Sequence, residues 1–224
     1  MATTRIYLAR HGATPNTAED RFSGAIDVQL SDEGRAQAVR LGERLRDEGL
    51  AAAYASPLPR AFETARLACG PSGLEPVPVD GLREIAHGHW EGISRREVEQ
   101  RFADEYAAWE ADPFTFAPRG GETGVAVLAR ALPALRDIVS RHAGARVLVV
   151  SHKATIRLLL SSLLGFDARG YRDRLDQAPA ALNVVDFKDA VRARLMLFND
   201  TSHYTATPRD PAESLSKWWD PAAR

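Results

Sequence analysis

The run Arg146-Val147-Leu148-Val149-Val150-Ser151 constrains the fold of this chain more than any other stretch. Four consecutive apolar side chains leave no polar face at the two-residue period of a strand, so a strand here must be covered on both sides. Helices can provide that cover, and helical patterns flank the run. From Gly124 to Arg141 the set Leu128, Leu132, Leu135 and Val139 keeps a helical rhythm, with Pro133 expected as a kink. The segment "ATIRLLLSSLLG" follows the run as a second helix.

The rest of the chain alternates in the same way. Arg5 to Ala9 reads as a first strand, followed by a loop to about Leu30. Ser31 and Asp32 can cap a helix running to Glu48, with Ala38, Leu41 and Leu45 on one face. "AAAYAS" is a second strand, and Pro59 stands at the first turn of the helix "PRAFETARLA". Val77 and Val79 suggest a short third strand. Residues 86–119, with Trp90, Trp109 and several Gly and Pro, read as a small helical insertion. Leu182 to Phe187 and Leu195 to Phe198 are late strands, joined through a turn at Lys188 and Asp189. The expected architecture is a three-layer α/β/α sandwich around a mostly parallel sheet, one catalytic domain over 1–224. The tail over about 207–224 is polar. Its Trp218 and Trp219 suit docking on the body of the domain or on a second subunit, which leaves a homodimer open.

Composition narrows the function classes. With 224 residues, 45% hydrophobic and 26% charged, this is the profile of a globular chain that needs no disulfide or metal staple. Twenty-nine basic residues against 30 acidic ones argue against nucleic acid or an anionic membrane surface as partner. Cys69 is the only cysteine and the N-terminus has no signal-like apolar core, so a cytoplasmic setting is expected. The apolar stretch "LLLSSLLGF" falls far short of the roughly 20 residues that span a bilayer.

Ligands of such sheets gather at the carboxyl ends of the strands. The first strand ends in Arg10 and His11, the second in Ser56-Pro57-Leu58-Pro59-Arg60, and the buried late strand in Ser151 and His152. Two guanidinium groups and two imidazoles on one rim suit a tetrahedral dianion, because arginine forks match phosphate oxygens in pairs. Walker, dinucleotide-binding and serine-hydrolase motifs do not occur in the chain.

These residues carry a resemblance. "LARHGATPNTAEDRFSG" resembles the opening signature of the histidine phosphatase superfamily, in its phosphoglycerate-mutase-like branch. "YASPLPRAFETA", "LREIAHGHWEG", "GGET" and "VLVVSH" resemble its later segments, in family order across residues 5–152. The resemblance implies a phosphomonoester hydrolase with a small-molecule substrate and neither metal nor cofactor. It implies that His11 is the nucleophile that becomes phosphorylated and Glu84 the proton donor to the leaving oxygen. Arg10, Arg60 and His152 would grip the phosphoryl oxygens with help from Asn16, while Thr17, Ser23 and Gly24 approach the substrate. Glu122 would orient the pocket. The arginines and His152 together would supply the positive field that a metal provides elsewhere.

Two positions depart from the family pattern: Lys153, where glycine is common, and Ser23, where glutamine is frequent. Both bear on substrate identity. The rival readings are a cofactor-dependent phosphoglycerate mutase and a non-catalytic phospho-ligand module. Against the mutase, only 36 positions separate Glu84 from Gly120, too few for a sealing cover. The binding module has no need of Glu84. His87 and His89 lack a third ligand at metal spacing and read as loop histidines, and His142 and His203 as surface ones.

Overall fold

The structure, a computed structural model, describes residues 3–205. In chain order the elements are β1 (Thr4–Arg10), α1 (Pro15–Ala18), α2 (Asp32–Leu45), β2 (Ala52–Ala55), α3 (Pro59–Ala68), β3 (Val77–Pro78), α4 (Arg95–Arg101) and α5 (Ala103–Ala111). There follow α6 (Gly124–Arg141), β4 (Arg146–Ser151), α7 (Lys153–Leu164), α8 (Tyr171–Arg174), β5 (Leu182–Phe187) and β6 (Ala193–Asp200). The tail from 207, with Trp218 and Trp219, lies outside the described residues.

The strands form one sheet in the order β3-β2-β4-β1-β5-β6. The pairings β1–β4, β2–β4 and β2–β3 are parallel, and β5 joins β1 and β6 antiparallel. The β5–β6 hairpin turns at Asp189, whose carboxylate accepts from the Val191 and Arg192 amides. The fully apolar run is the interior strand β4. Val147 and Val149 pack with Ile6, Leu8, Leu135 and Ile156 beneath α6 and α7, while Leu148 and Val150 pack with Tyr7, Ala9, Leu41 and Ala65 beneath α2 and α3. Successive side chains therefore serve opposite layers, as the pleat requires. Each buried Val or Leu contributes about 1.5–3 kcal/mol.

Element ends differ slightly from the sequence expectation. Helix α2 stops at Leu45 rather than Glu48, where the chain turns through Gly49 at φ 63°. Val79 lies beyond β3, yet its amide still donates to the Ala55 carbonyl. Pro133 lies inside α6, which runs for 18 residues. Among the described residues no helix is long and apolar enough to cross a membrane.

Residues 86–119 carry α4 and α5 and have a core of their own in Trp90, Val98, Tyr106 and Trp109. Phe22, from the loop after β1, fills out that core, with its ring 5.4 Å from Trp90 and 5.6 Å from Trp109. The backbone joins there too: the Phe22 amide donates to Ile93, Gly92 donates back to Phe22, and Arg95 donates to Asp20. The insertion and the loop after β1 are thus bound to each other, and together they form one side of the cleft at the strand ends.

Candidate active site

The parallel register sets Arg10 beside Ser151, so the residues that follow, His11 and His152, leave adjacent strands at the same level. The His11 amide donates to the Ser151 carbonyl at 3.0 Å, and the two imidazole centroids are 5.1 Å apart. Arg60 arrives from β2 as the second residue of α3, one position after Pro59, whose fixed φ suits a helix start. The sequence-derived cluster is therefore assembled.

His11 is buried, and its Nδ1 lies 2.7 Å from the Gly12 carbonyl oxygen. A carbonyl can only accept, so Nδ1 holds the proton and Nε2 keeps the lone pair. Burial, with Arg10 and Arg60 beside it, holds this imidazole well below the usual histidine range. The loop carrying it lies against α2 through a double glycine contact. A Cβ on Gly12 would lie 2.4 Å from the Gly34 oxygen, and one on Gly34 would lie 2.1 Å from the Ala13 oxygen. The Gly12 amide donates to Thr64 Oγ1 and the Ala13 amide to Gln37 Oε1.

Both arginines are fixed by carbonyls. Arg10 Nη1 donates to Gln177 at 2.7 Å, and Gln177 is held by a reciprocal amide pair with Asn183. Arg60 is fully buried and donates to Gly24 and Ile26, while its Nε has no partner among the described residues. Glu84 sits at the N-terminus of α7. Its carboxylate accepts from the Ile85, Ala154 and Thr155 amides and the Thr155 hydroxyl, at 3.0–3.2 Å. Those donors suit an acceptor at the positive end of a helix. Arg130 holds the segment in place by donating to the carbonyls of Gly81, Arg83 and Glu84 while paired in a fork with Glu122. Burial works against the charge on Glu122, but Arg130 and the Ala86 amide outweigh it and hold the carboxyl below its ordinary value. Through Arg130, Glu122 braces the segment that carries Glu84.

A family model for the histidine phosphatase superfamily, branch 1, matches residues 6–201. The chain belongs to that superfamily. It is 32% identical over 163 residues to phosphoserine phosphatase 1 of Hydrogenobacter thermophilus, covering 73% of this chain and 77% of that protein. It is 30% identical over 206 residues to a metal-independent phosphoserine phosphatase of Arabidopsis thaliana, covering 91% and 84%. The solved structure of YhfR from Bacillus stearothermophilus superposes with a TM-score of 0.84 at 32% identity, covering 89% of this chain and 98% of that one. This histidine phosphatase hydrolyses phosphomonoesters.

In this histidine phosphatase Arg10, His11, Asn16, Thr17, Ser23, Gly24, Arg60 and Glu84 line a cleft of about 1400 Å³. His152 packs beside His11, its ring centroid 5.1 Å away, and is itself fully buried. Burial, together with Arg60, His11 and Arg10, keeps its imidazole well below the usual histidine range. Asn16 Nδ2 donates to Ser23 Oγ at 3.2 Å, tying two candidates together. Thr17 Oγ1 lies 3.0 Å from Thr14 Oγ1 within the cap of α1, so its hydroxyl is already engaged. Lys153 lines the cleft with Nζ 3.5 Å from Asp176.

The H-x-H pair divides. His89 lies with Nδ1 3.0 Å from the Arg119 carbonyl oxygen and Nε2 3.1 Å from Glu105, whereas His87 is half-buried, edge-on against Phe22, and lines the cleft. Among the described residues no three His, Cys, Asp or Glu side chains form a metal cluster. His142 is less isolated than the sequence implies, with Nε2 2.8 Å from the Tyr54 hydroxyl. His203 is half-buried, with both ring nitrogens shielded from solvent. Sequence reasoning missed Arg130, Gln177 and Asn183. Arg130 and Gln177 act on residues distant in the chain and Asn183 acts through Gln177, so no local pattern marks them.

Proposed function

We propose that this phosphatase works through a phosphohistidine on His11 and needs no metal. The observation that carries the reading is the His11 ring itself: neutral, its proton fixed on Nδ1 by Gly12, and its Nε2 lone pair left for in-line attack on phosphorus. Arg10 and Arg60 meet the charge that spreads over the phosphoryl oxygens, fixed before the substrate arrives and so with little reorganisation left to do. Glu84 gives a proton to the departing oxygen and takes one from water in the second step. To do so it must first take up a proton and release at least one of its donors at the head of α7. A phosphomonoester, with a second pKa of about 6, can bring that proton as its monoanion. The substrates are small phosphomonoesters.

The test is rapid quench with a ³²P-labelled substrate. An acid-labile, base-stable adduct should form on the native protein and vanish in His11→Ala. A surviving adduct in that variant would assign the nucleophile elsewhere.

A further inference from the structure

Ser56 follows the last residue of β2, is fully buried, and has no part in the reaction described above. Its Oγ lies 2.7 Å from His152 Nε2, and the Leu58 amide points at the same oxygen from 3.3 Å. An amide can only donate, so Leu58 occupies a lone pair of the hydroxyl and leaves the hydroxyl hydrogen for another acceptor. The acceptor within reach is His152 Nε2. On the other side of that ring Nδ1 is buried and has no partner among the described residues. The ring itself is 5.1 Å from that of His11.

We infer that Ser56 is a positioning residue: its hydroxyl donates to His152 Nε2, fixing the ring proton on Nδ1 for donation to a phosphoryl oxygen beside His11. The inference rests on the phosphoryl group being held between the two histidines and the two arginines. A fixed tautomer matters because the ring is neutral. An imidazolium would donate from both nitrogens whatever its neighbour, but a neutral ring has one N–H, and with the proton on Nε2 a bare lone pair would meet the phosphoryl oxygens. Burial beside Arg60 and Arg10 keeps the ring in that neutral state. Ser56 and Arg60 leave β2 in the same turn, so one short segment supplies both a guanidinium and the group that sets the second histidine.

The decisive measurement is the ring-nitrogen NMR spectrum of the ¹⁵N-histidine-labelled full chain at neutral pH, with His152 assigned by its loss in His152→Gln. The expected pattern is a protonated Nδ1 and a bare Nε2. In Ser56→Ala that pattern should shift toward Nε2–H or average between the two. Orthovanadate affinity and kcat/KM for p-nitrophenyl phosphate should each fall roughly ten- to a hundredfold, the cost of a mispaired buried group. Ser56→Thr keeps the hydroxyl and should restore the Nδ1–H pattern and most of the affinity. A native spectrum with the proton on Nε2 overturns the inference, as does Ser56→Ala with unchanged tautomer and vanadate affinity. If Ser56→Ala does not fold, the native and Ser56→Thr spectra still decide it. A native protein that forms no phosphoenzyme would count against the proposed reaction instead, because the tautomer is read in the free protein.

Discussion

Glu84 presents the sharpest chemical question at the scale of single residues. Its carboxylate is an acceptor for four donors in the free protein, yet the reaction asks it to donate. If it protonates the leaving oxygen, Glu84→Gln should slow an alkyl phosphate by roughly 10²–10⁴-fold. It should slow p-nitrophenyl phosphate far less, because that leaving group needs little help. Equal losses on the two substrates, measured as kcat, would remove the acid role. Arg10, His11, Arg60 and His152 were legible in the sequence because each closes or follows a strand whose apolar pattern is unmistakable. Arg130 was not, since it acts on residues 46–49 positions away and looks from sequence like any charge on a helix surface.

Between elements, the tightest junction is the glycine pair that seats the His11 loop on the first turn of α2. Ala at an ordinary helical glycine stabilises by about 0.5–1 kcal/mol. At Gly34 the added methyl would lie 2.1 Å from the Ala13 oxygen, backbone that cannot step aside cheaply. Gly34→Ala should therefore destabilise, by about 1–3 kcal/mol as overpacking does, and lower kcat/KM by shifting the loop. Urea unfolding of the variant checks the sign, and a gain in stability would mean that the loop yields freely. Most helices and strands were legible from periodicity, with errors of a few residues at their ends. The short α1 and α8 were not, since four residues make one turn and carry no periodic signal.

For the molecule as a whole, imidazoles withdrawn from solvent shape the response to acid. His11, His87 and His152 are all held below their ordinary value of 6.5, in each case chiefly by burial. Below that pH the unfolded chain binds protons that the folded one refuses, so stability falls as pH falls. Each group contributes a slope of up to about 1.4 kcal/mol per pH unit between 6.5 and its folded pKa. The urea midpoint should be level from about pH 8 to 7 and drop steadily below about 6.5. A level midpoint down to about pH 5 would show that these rings charge inside the fold. The layered architecture was legible in the sequence because β4 admits no other solution. The full burial of His152 beside His11 was not, because exposure at a rim depends on how neighbouring strands end.

The seam between Phe22 and the α4–α5 insertion bears on inheritance. Residues 20–25 and 86–119 are separated by some sixty positions in the chain, yet they share an aromatic core and a run of backbone hydrogen bonds. Recombination that brought in a foreign insertion alone would replace Trp90 and Trp109, strip Phe22 of its aromatic neighbours, and require the new backbone to reproduce the bonds to the Asp20 and Phe22 carbonyls. The two segments form a single heritable unit written in two places. A chimera between two such enzymes should be spliced with both or with neither.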